Sequence, residues 1–193
     1  MARDQAADED AVLLRAHVDG DREAFARLYD RHDRPCFQFI RRLLGSSGAD
    51  AEDLHQETWL AVSRHALRFD ALKASFGAWL YTIARRKVWD HLRKQTTIRL
   101  VSGQEDLILA VPDLGPTPLQ EAESRETALA LINAVEALPL AQRETFILFA
   151  EGGLSLEEIA EITEVSAETS KSRLRYARAT LRRVLSEREA IHG

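Results

Sequence analysis

The chain has one cysteine, Cys36, in 193 residues. An internal disulfide is excluded, and a reducing compartment fits. No apolar run reaches the ~18 residues needed to cross a bilayer, so no membrane insertion is expected. The opening MARDQAADED is acidic and has no apolar centre, so it does not read as a secretory leader. Cytoplasm is the expected location. No stretch alternates polar and apolar residues long enough to require a sheet. The six histidines are scattered, and no nucleophile, base and orienting group stand together. GSSG at 45–48 lacks the lysine and the spacing of a phosphate loop. His32 and Cys36 lie one helical turn apart, but two ligands are too few for a structural metal. No enzyme, cofactor or metal site is expected.

Charge is plentiful and unevenly placed. Lys and Arg number 26 against 31 Asp and Glu, a formal net charge of −5. Between Tyr81 and Arg99, six cations (Arg85, Arg86, Lys87, Arg93, Lys94, Arg99) face only Asp90. Between Ser102 and Thr127, six acids face only Arg125. Between Ala167 and Leu185, Lys171, Arg173, Arg175, Arg178, Arg182 and Arg183 face only Glu168. Two basic segments flank an acidic one. That pattern suggests two anion-binding faces on one chain.

The acidic segment also holds Pro112, Pro116 and Pro118 with Gly103 and Gly115. VPDLGPTP cannot be an internal helix or a central strand. Residues 101–122 read as an extended linker between units at 1–100 and 123–193. Both units read as helical, so the fold class is all-α: two small helical domains joined by an acidic, proline-containing linker. Val12, Leu13 and Ala16, then Phe25, Leu28 and Tyr29, follow three- and four-residue spacing. Phe37, Ile40, Leu43 and Leu44 continue it until GSSG stops the helix. Asp50 is placed to cap the next helix, with Glu52 and Asp53 in its first turn. Residues 76–95 form a long amphipathic helix, with Trp79 and Ile83 inward and the cations outward. Leu129, Ile132, Val135 and Leu138 mark another, and LPLAQRETFILF a further one.

Ser155 and Glu158 have capping-box spacing and open a helix carrying Ile159, Ala160 and Ile162. TEVS breaks it, and Ser166 can cap a second helix that buries Leu174, Ala177 and Leu181. A short break between two helices, the second basic, matches a DNA-reading helix-turn-helix. An ordinary helical hairpin with a solvated basic face matches it about as well. The charge step between the helices favours DNA, where Lys and Arg address guanine edges and phosphates. Glu164 falls where such turns use glycine. Ser170 falls where an apolar residue would pack, and its hydroxyl could bond back to a carbonyl one turn earlier.

DAEDLHQETW puts Asp50, Asp53 and Glu57 on one helical stripe, with Glu52 and Gln56 beside it. A solvated face is the common meaning of such a cluster. Trp59 and Leu60 nearby favour a protein contact. The 76–95 helix interleaves Trp79, Tyr81 and Trp89 with cations, the composition of a single-strand surface.

Taken in order, DAEDLHQETWLAV, SFGAWLYTIARRKVWDHLRK and LPLAQRETFILFAEGGLSLEEIAEI…SRLRYARATLRRVL resemble the two domains of extracytoplasmic-function sigma factors. These are bacterial initiation factors of the sigma-70 family, and the resemblance runs from about Asp21 to Leu185. It implies that Asp50, Glu52, Asp53, Gln56 and Glu57 dock on the clamp helices of the largest subunit of core RNA polymerase. The second domain would meet the polymerase flap. The loop HALRFDALKAS, with Phe69, and the helix bearing Lys87, Asp90, His91, Arg93 and Lys94 would open and hold the −10 element of promoter DNA. Thr169, Lys171, Ser172, Arg175 and Tyr176 would read the −35 element, with Arg143 and Arg173 nearer phosphate. The linker would pass through the RNA channel, and an anti-sigma factor would clamp both domains. Arg86 stands where many relatives carry Asn. A stand-alone helix-turn-helix regulator is the competing reading. It would bind paired half-sites as a dimer and leaves the acidic helix without a role.

Overall fold

The computed structural model describes residues 2–45, 50–102 and 129–192. All regular structure among them is helical. The order is α1 (Ala2–Val18), α2 (Arg22–Leu44), α3 (Ala51–His65), a 3-10 turn (Ala66–Arg68) and α4 (Phe76–Ser102). Then come α5 (129–136), α6 (Leu140–Ala150), α7 (Leu156–Thr163) and α8 (Ala167–His192). Most of the expected linker lies outside the described residues. Val101 and Ser102 belong to the last turn of α4.

In the first domain α2 packs against α1, α3 and α4. Asp21 starts α2 by accepting from the backbone N–H groups of Glu23 and Ala24 at 2.9 and 3.2 Å, satisfying donors that have no intrahelical partner. Gly45 ends it at φ 64°, with its N–H on the Arg41 carbonyl, a conformation open to glycine at little cost. The buried stripe of α2 is Leu28, Cys36, Phe39, Ile40, Leu43 and Leu44. Against it α4 sets Phe76, Leu80, Tyr81, Ala84 and Val88, all buried.

Two expectations need correction here. Among the described residues of α1 the buried apolar side chain is Leu14, while Val12 is 67% exposed. Leu14 meets the 3-10 turn and loop beneath the helix, a partner that helix periodicity alone cannot locate. Asp50 makes no side-chain cap. Its carboxylate turns to α4 instead, accepting from Gln95 at 3.4 Å and lying 3.2 Å from His91. Trp79 and Ile83 face inward as expected, half-buried and packed against the core beside the fully buried Leu80 and Ala84.

In the second domain α8 packs on α6 and α7. The capping box is present in both directions: the Glu158 N–H donates to Ser155 Oγ at 3.1 Å, and the Ser155 N–H donates to Glu158 Oε2 at 2.9 Å. α7 ends in a left-handed residue, Glu164, at φ 57° and ψ 43°. The Val165 N–H reaches back to the Ala160 carbonyl at 3.0 Å, the long bond of a Schellman turn. The turn thus has glycine-type geometry without glycine. Ser166 caps α8 through the Thr169 N–H at 3.1 Å. Leu174, Ala177 and Leu181 are buried as spaced. Ser170 is fully buried, but its hydroxyl has no hydrogen-bond partner. The back-bond to a carbonyl is not made.

The domains touch. α6 lies on α2 and α7 on α4, and one cluster of buried apolar residues runs from Leu14 to Leu181.

Candidate nucleic-acid and protein interfaces

The acidic helix α3 has two chemically distinct sides. Leu54, His55, Thr58 and Trp59 are buried, whereas Glu52, Asp53, Gln56 and Glu57 are exposed. The inner side fixes the helix. Trp59 Nε1 donates to His55 Nε2 at 3.0 Å, and Thr58 Oγ1 donates to the Leu54 carbonyl at 2.7 Å. Aromatic rings from α2 close over it, with Tyr29 at 4.9 Å and Phe25 at 5.9 Å from Trp59. The outer carboxylates are thereby presented on a rigid support. Leu60 continues this face and is exposed.

Two of these acidic positions also engage α4. Lys87 Nζ donates to Glu57 Oε2 at 2.7 Å, and this ammonium holds the Glu57 carboxyl below the usual range. Asp50 faces His91. The helices expected to meet polymerase and DNA are therefore linked side chain to side chain. Asp90, Arg93 and Lys94 are exposed on α4, with Arg93 paired to Asp90.

The loop before α4 is held by the Asp70 carboxylate, which accepts from the Leu72 N–H at 3.1 Å and pairs with Lys73 at 3.2 Å. These contacts keep the Asp70 carboxyl below its ordinary pKa. The turn projects Leu72, 98% exposed, beyond Leu67, 81% exposed. Phe69 packs on Trp79 at 5.3 Å and lines a cavity of about 180 Å³ with Leu14, Val18 and Leu67. The sequence reading included this loop but did not single out Leu67 or Leu72. Their signal was present as apolar residues in a turn too short to bury them.

On α8 the exposed side carries Thr169, Lys171, Arg175 and Tyr176, with Ser172 and Arg173 half-exposed. Arg175 lies over the Tyr176 ring at 5.0 Å. Six of the seven residues expected at the −35 element lie on α8, four of them exposed and two half-exposed. Arg143 stands apart from it on α6. Its Nη1 donates to the Glu136 carbonyl at 3.0 Å, and Nε is buried without a hydrogen bond. Its guanidinium lies against Gly45 of the first domain, where an added Cβ would come within 2.8 Å.

The family description "Sigma-70 region 2" matches residues 28–98, and "Sigma-70, region 4" matches residues 128–181. The ECF RNA polymerase sigma factor SigM of Mycobacterium tuberculosis is 34% identical over 178 residues, covering 91% of this chain and 84% of the relative. The chain belongs to the extracytoplasmic-function sigma factors of the sigma-70 family. The ECF sigma factor BldN of Streptomyces coelicolor is 31% identical, over 96% of this chain and 70% of its own length. Among solved structures, the sigma factor RpoE of Bartonella quintana, in complex with the anti-sigma factor NepR, superposes with a TM-score of 0.70. It is 27% identical, covering 84% of this chain and 96% of that one. The sigma factor fold is also shared with CnrH, in complex with the cytosolic domain of CnrY, at a TM-score of 0.66 and 24% identity over 93% of this chain and 98% of that one.

As an alternative sigma factor, the chain directs RNA polymerase to promoters. Among the described residues, no group of three or more His, Cys, Asp or Glu could hold a metal ion. None of their helices is long and apolar enough to cross a membrane. His32 Nε2 is 2.7 Å from the Asp10 carboxylate. Cys36 is buried, and burial pushes its thiol up to about 12.

Proposed function

We propose that this sigma factor divides its work between three surfaces and acts by binding rather than by catalysis, in the cytoplasm. The outer side of α3 (Asp50, Glu52, Asp53, Gln56, Glu57) docks on the clamp helices of core polymerase. Phe69 with Lys87, Asp90, His91, Arg93 and Lys94 engages the opened −10 element, cations along the backbone and aromatics against bases. Thr169, Lys171, Ser172, Arg173, Arg175 and Tyr176 read the −35 duplex, the helix lying in the major groove. Arg143 joins them at phosphate once it leaves the first domain. The domain limits 1–100 and 123–193, with a connecting segment at 101–122, follow from this division. An anti-sigma factor is the fitting regulator, since the similar sigma factor RpoE is complexed with the anti-sigma factor NepR.

The observation that carries this reading is the two-sidedness of α3. A helix whose inner side is sealed by Trp59 and His55 keeps uncompensated carboxylates such as Asp53 on the outside. Charge of one sign on a rigid support gives an oppositely charged partner orientation and a faster encounter. The test is transcription in vitro with core polymerase and the double variant Asp53→Lys, Glu57→Lys. Initiation falls at least tenfold, and Asp53→Lys alone, which leaves the contact of Lys87 with Glu57 in place, lowers it in the same direction. A double variant as active as the parent would remove α3 from the docking surface.

A further inference from the structure

α1 precedes residue 28, where the region 2 match begins, yet it walls the underside of the loop that carries Phe69. Ala11, Leu14 and Val18 line the cavity of about 180 Å³ there, together with Leu67, Phe69 and Ala71. Among the described residues of α1 the buried polar side chain is Asp10, 4% exposed. Both of its carboxylate oxygens are engaged from α2. Arg31 Nη1 donates to Oδ1 at 2.5 Å, and His32 Nε2 lies 2.7 Å from Oδ2. Asp10, Leu14 and Val18 are spaced by four residues, so they share one side of α1. The His32 ring also packs on Phe76 at 5.1 Å, and Phe76 meets Phe69 at 6.2 Å. Asp10 thus connects to the loop twice, along α1 to the cavity wall and through His32 and Phe76.

We propose that Asp10 is a positioning residue for the −10 loop: its paired contacts with Arg31 and His32 fix the register of α1 on α2, and so hold Leu14 and Val18 under Phe69. Apolar packing is non-directional, and packed helices held by it alone can slide. A carboxylate gripped by two donors cannot shift without losing charge-assisted bonds, and its removal from water is tolerated only while those bonds are made. Two further ties of this region, Arg31 to Glu9 at 3.2 Å and His17 to Ser63 at 3.4 Å, are exposed and constrain little. The loop's own bonds are local. The Phe69 N–H donates to the Ala66 carbonyl at 3.2 Å, and Asp70 holds Leu72 and Lys73. They shape the turn, and its placement is left to the packing of Phe69 on Trp79 and over the wall that α1 supplies. Presentation of the loop to DNA rests on the function proposed above; the register lock does not.

Hydrogen exchange on the free full chain, followed by mass spectrometry, is the first test. Arg31 and His32 remain 39% and 18% exposed, so loss of Asp10 leaves neither donor fully buried. In Asp10→Ala, peptides covering 66–75 exchange at least about fivefold faster than in the parent, while those of α3 and α8 are unchanged, as local opening requires. Asp10→Asn, which can accept from Arg31 and donate to His32, returns the loop to the parent rate. Unchanged exchange at 66–75 in Asp10→Ala would overturn the proposal. So would faster exchange spread evenly over the first domain, the mark of a group that only adds stability, or an Asn variant as fast as the Ala one. Should Asp10→Ala lose helix by circular dichroism, Arg31→Met is read in its place, with the same outcomes expected and excluded.

Strand binding is the second readout. The probe is a fluorescein-labelled single strand of DNA selected by the parent holoenzyme from a randomised pool. A stacking side chain held out of place forfeits at least about fivefold in affinity for the strand, and Asp10→Ala holoenzyme loses this much. Its affinity for core polymerase stays at the parent value. Equal losses for polymerase and strand, or a loosened loop that binds the strand as before, would overturn the positioning role. Phe69→Ala separates the two kinds of failure. If it binds the strand like the parent, the reading of Phe69 at the −10 element falls, while hydrogen exchange still decides the register of α1.

Discussion

Ser170 and His55 are the two residues where burial and polarity conflict most clearly. Ser170 has a fully buried hydroxyl with no partner. An unpaired buried hydroxyl costs ~1–3 kcal/mol. Ser170→Ala removes it with almost no change in volume and should raise stability by about 1 kcal/mol in urea denaturation. A loss instead would reveal a partner for that hydroxyl. His55 is held neutral in the wall of α3. Burial lowers its pKa from 6.5, and Asp33 offsets this only in part. The Trp59 N–H needs an unprotonated Nε2, so Asp33 Oδ1, 3.2 Å from that nitrogen, is left without a hydrogen bond. As pH falls, the unfolded chain takes the proton first. Stability is therefore complete above about pH 6.5 and declines below it. Urea midpoints followed by tryptophan fluorescence should fall between pH 7.5 and 5.5, and fall less in His55→Gln. Equal declines would assign the effect to another group.

At the scale of elements, α3 and α4 share the exposed contact between Lys87 and Glu57. A solvated pair of this kind is worth ~0–1 kcal/mol. Lys87→Gln should alter stability by no more than about 0.5 kcal/mol, yet lower promoter opening measured with a fluorescent −10 strand. A stability loss well beyond 1 kcal/mol would make Lys87 a structural residue. Helices were the legible part of this molecule. The capping box at Ser155, the stripe Leu174, Ala177 and Leu181, and the left-handed turn at Glu164 depend on residues close in sequence, and all three are present. Where the reading slipped, the deciding partner was remote. Asp50 has the chemistry of a cap, but Gln95 and His91 arrive from α4 and take its carboxylate. Val12 and Leu14 differ by the position of a loop some fifty residues away. The exposed carboxylates of α3 and cations of α8 were readable because charge with helical spacing needs no partner to define its side. Glu144 was not, because a lone acid in LPLAQRETFILF looks like any solvent-facing residue until Arg85 and Trp89 are laid over it.

At the scale of the whole molecule, the apolar core continuous from Leu14 to Leu181 couples two domains that are each small for independent stability. All three tryptophans, Trp59, Trp79 and Trp89, lie in the first domain. Tryptophan fluorescence therefore follows that domain, whereas far-ultraviolet circular dichroism follows the helices of both. In the closed chain the second domain loses its contacts when the first unfolds, and the two share one cooperative unit. The two signals should then report the same urea midpoint in the parent, as one two-state transition requires. The slope of free energy with urea should be that of the whole surface exposed, since it scales with area. Arg85→Glu sets a carboxylate against Glu144 and should weaken the contact between the domains; it replaces no tryptophan but takes the guanidinium from over the Trp89 ring. Its dichroism should show two transitions, only one of them coincident with fluorescence, and each with a shallower slope. Separate midpoints already in the parent would mean that the apolar contact between the domains is too weak to join their unfolding.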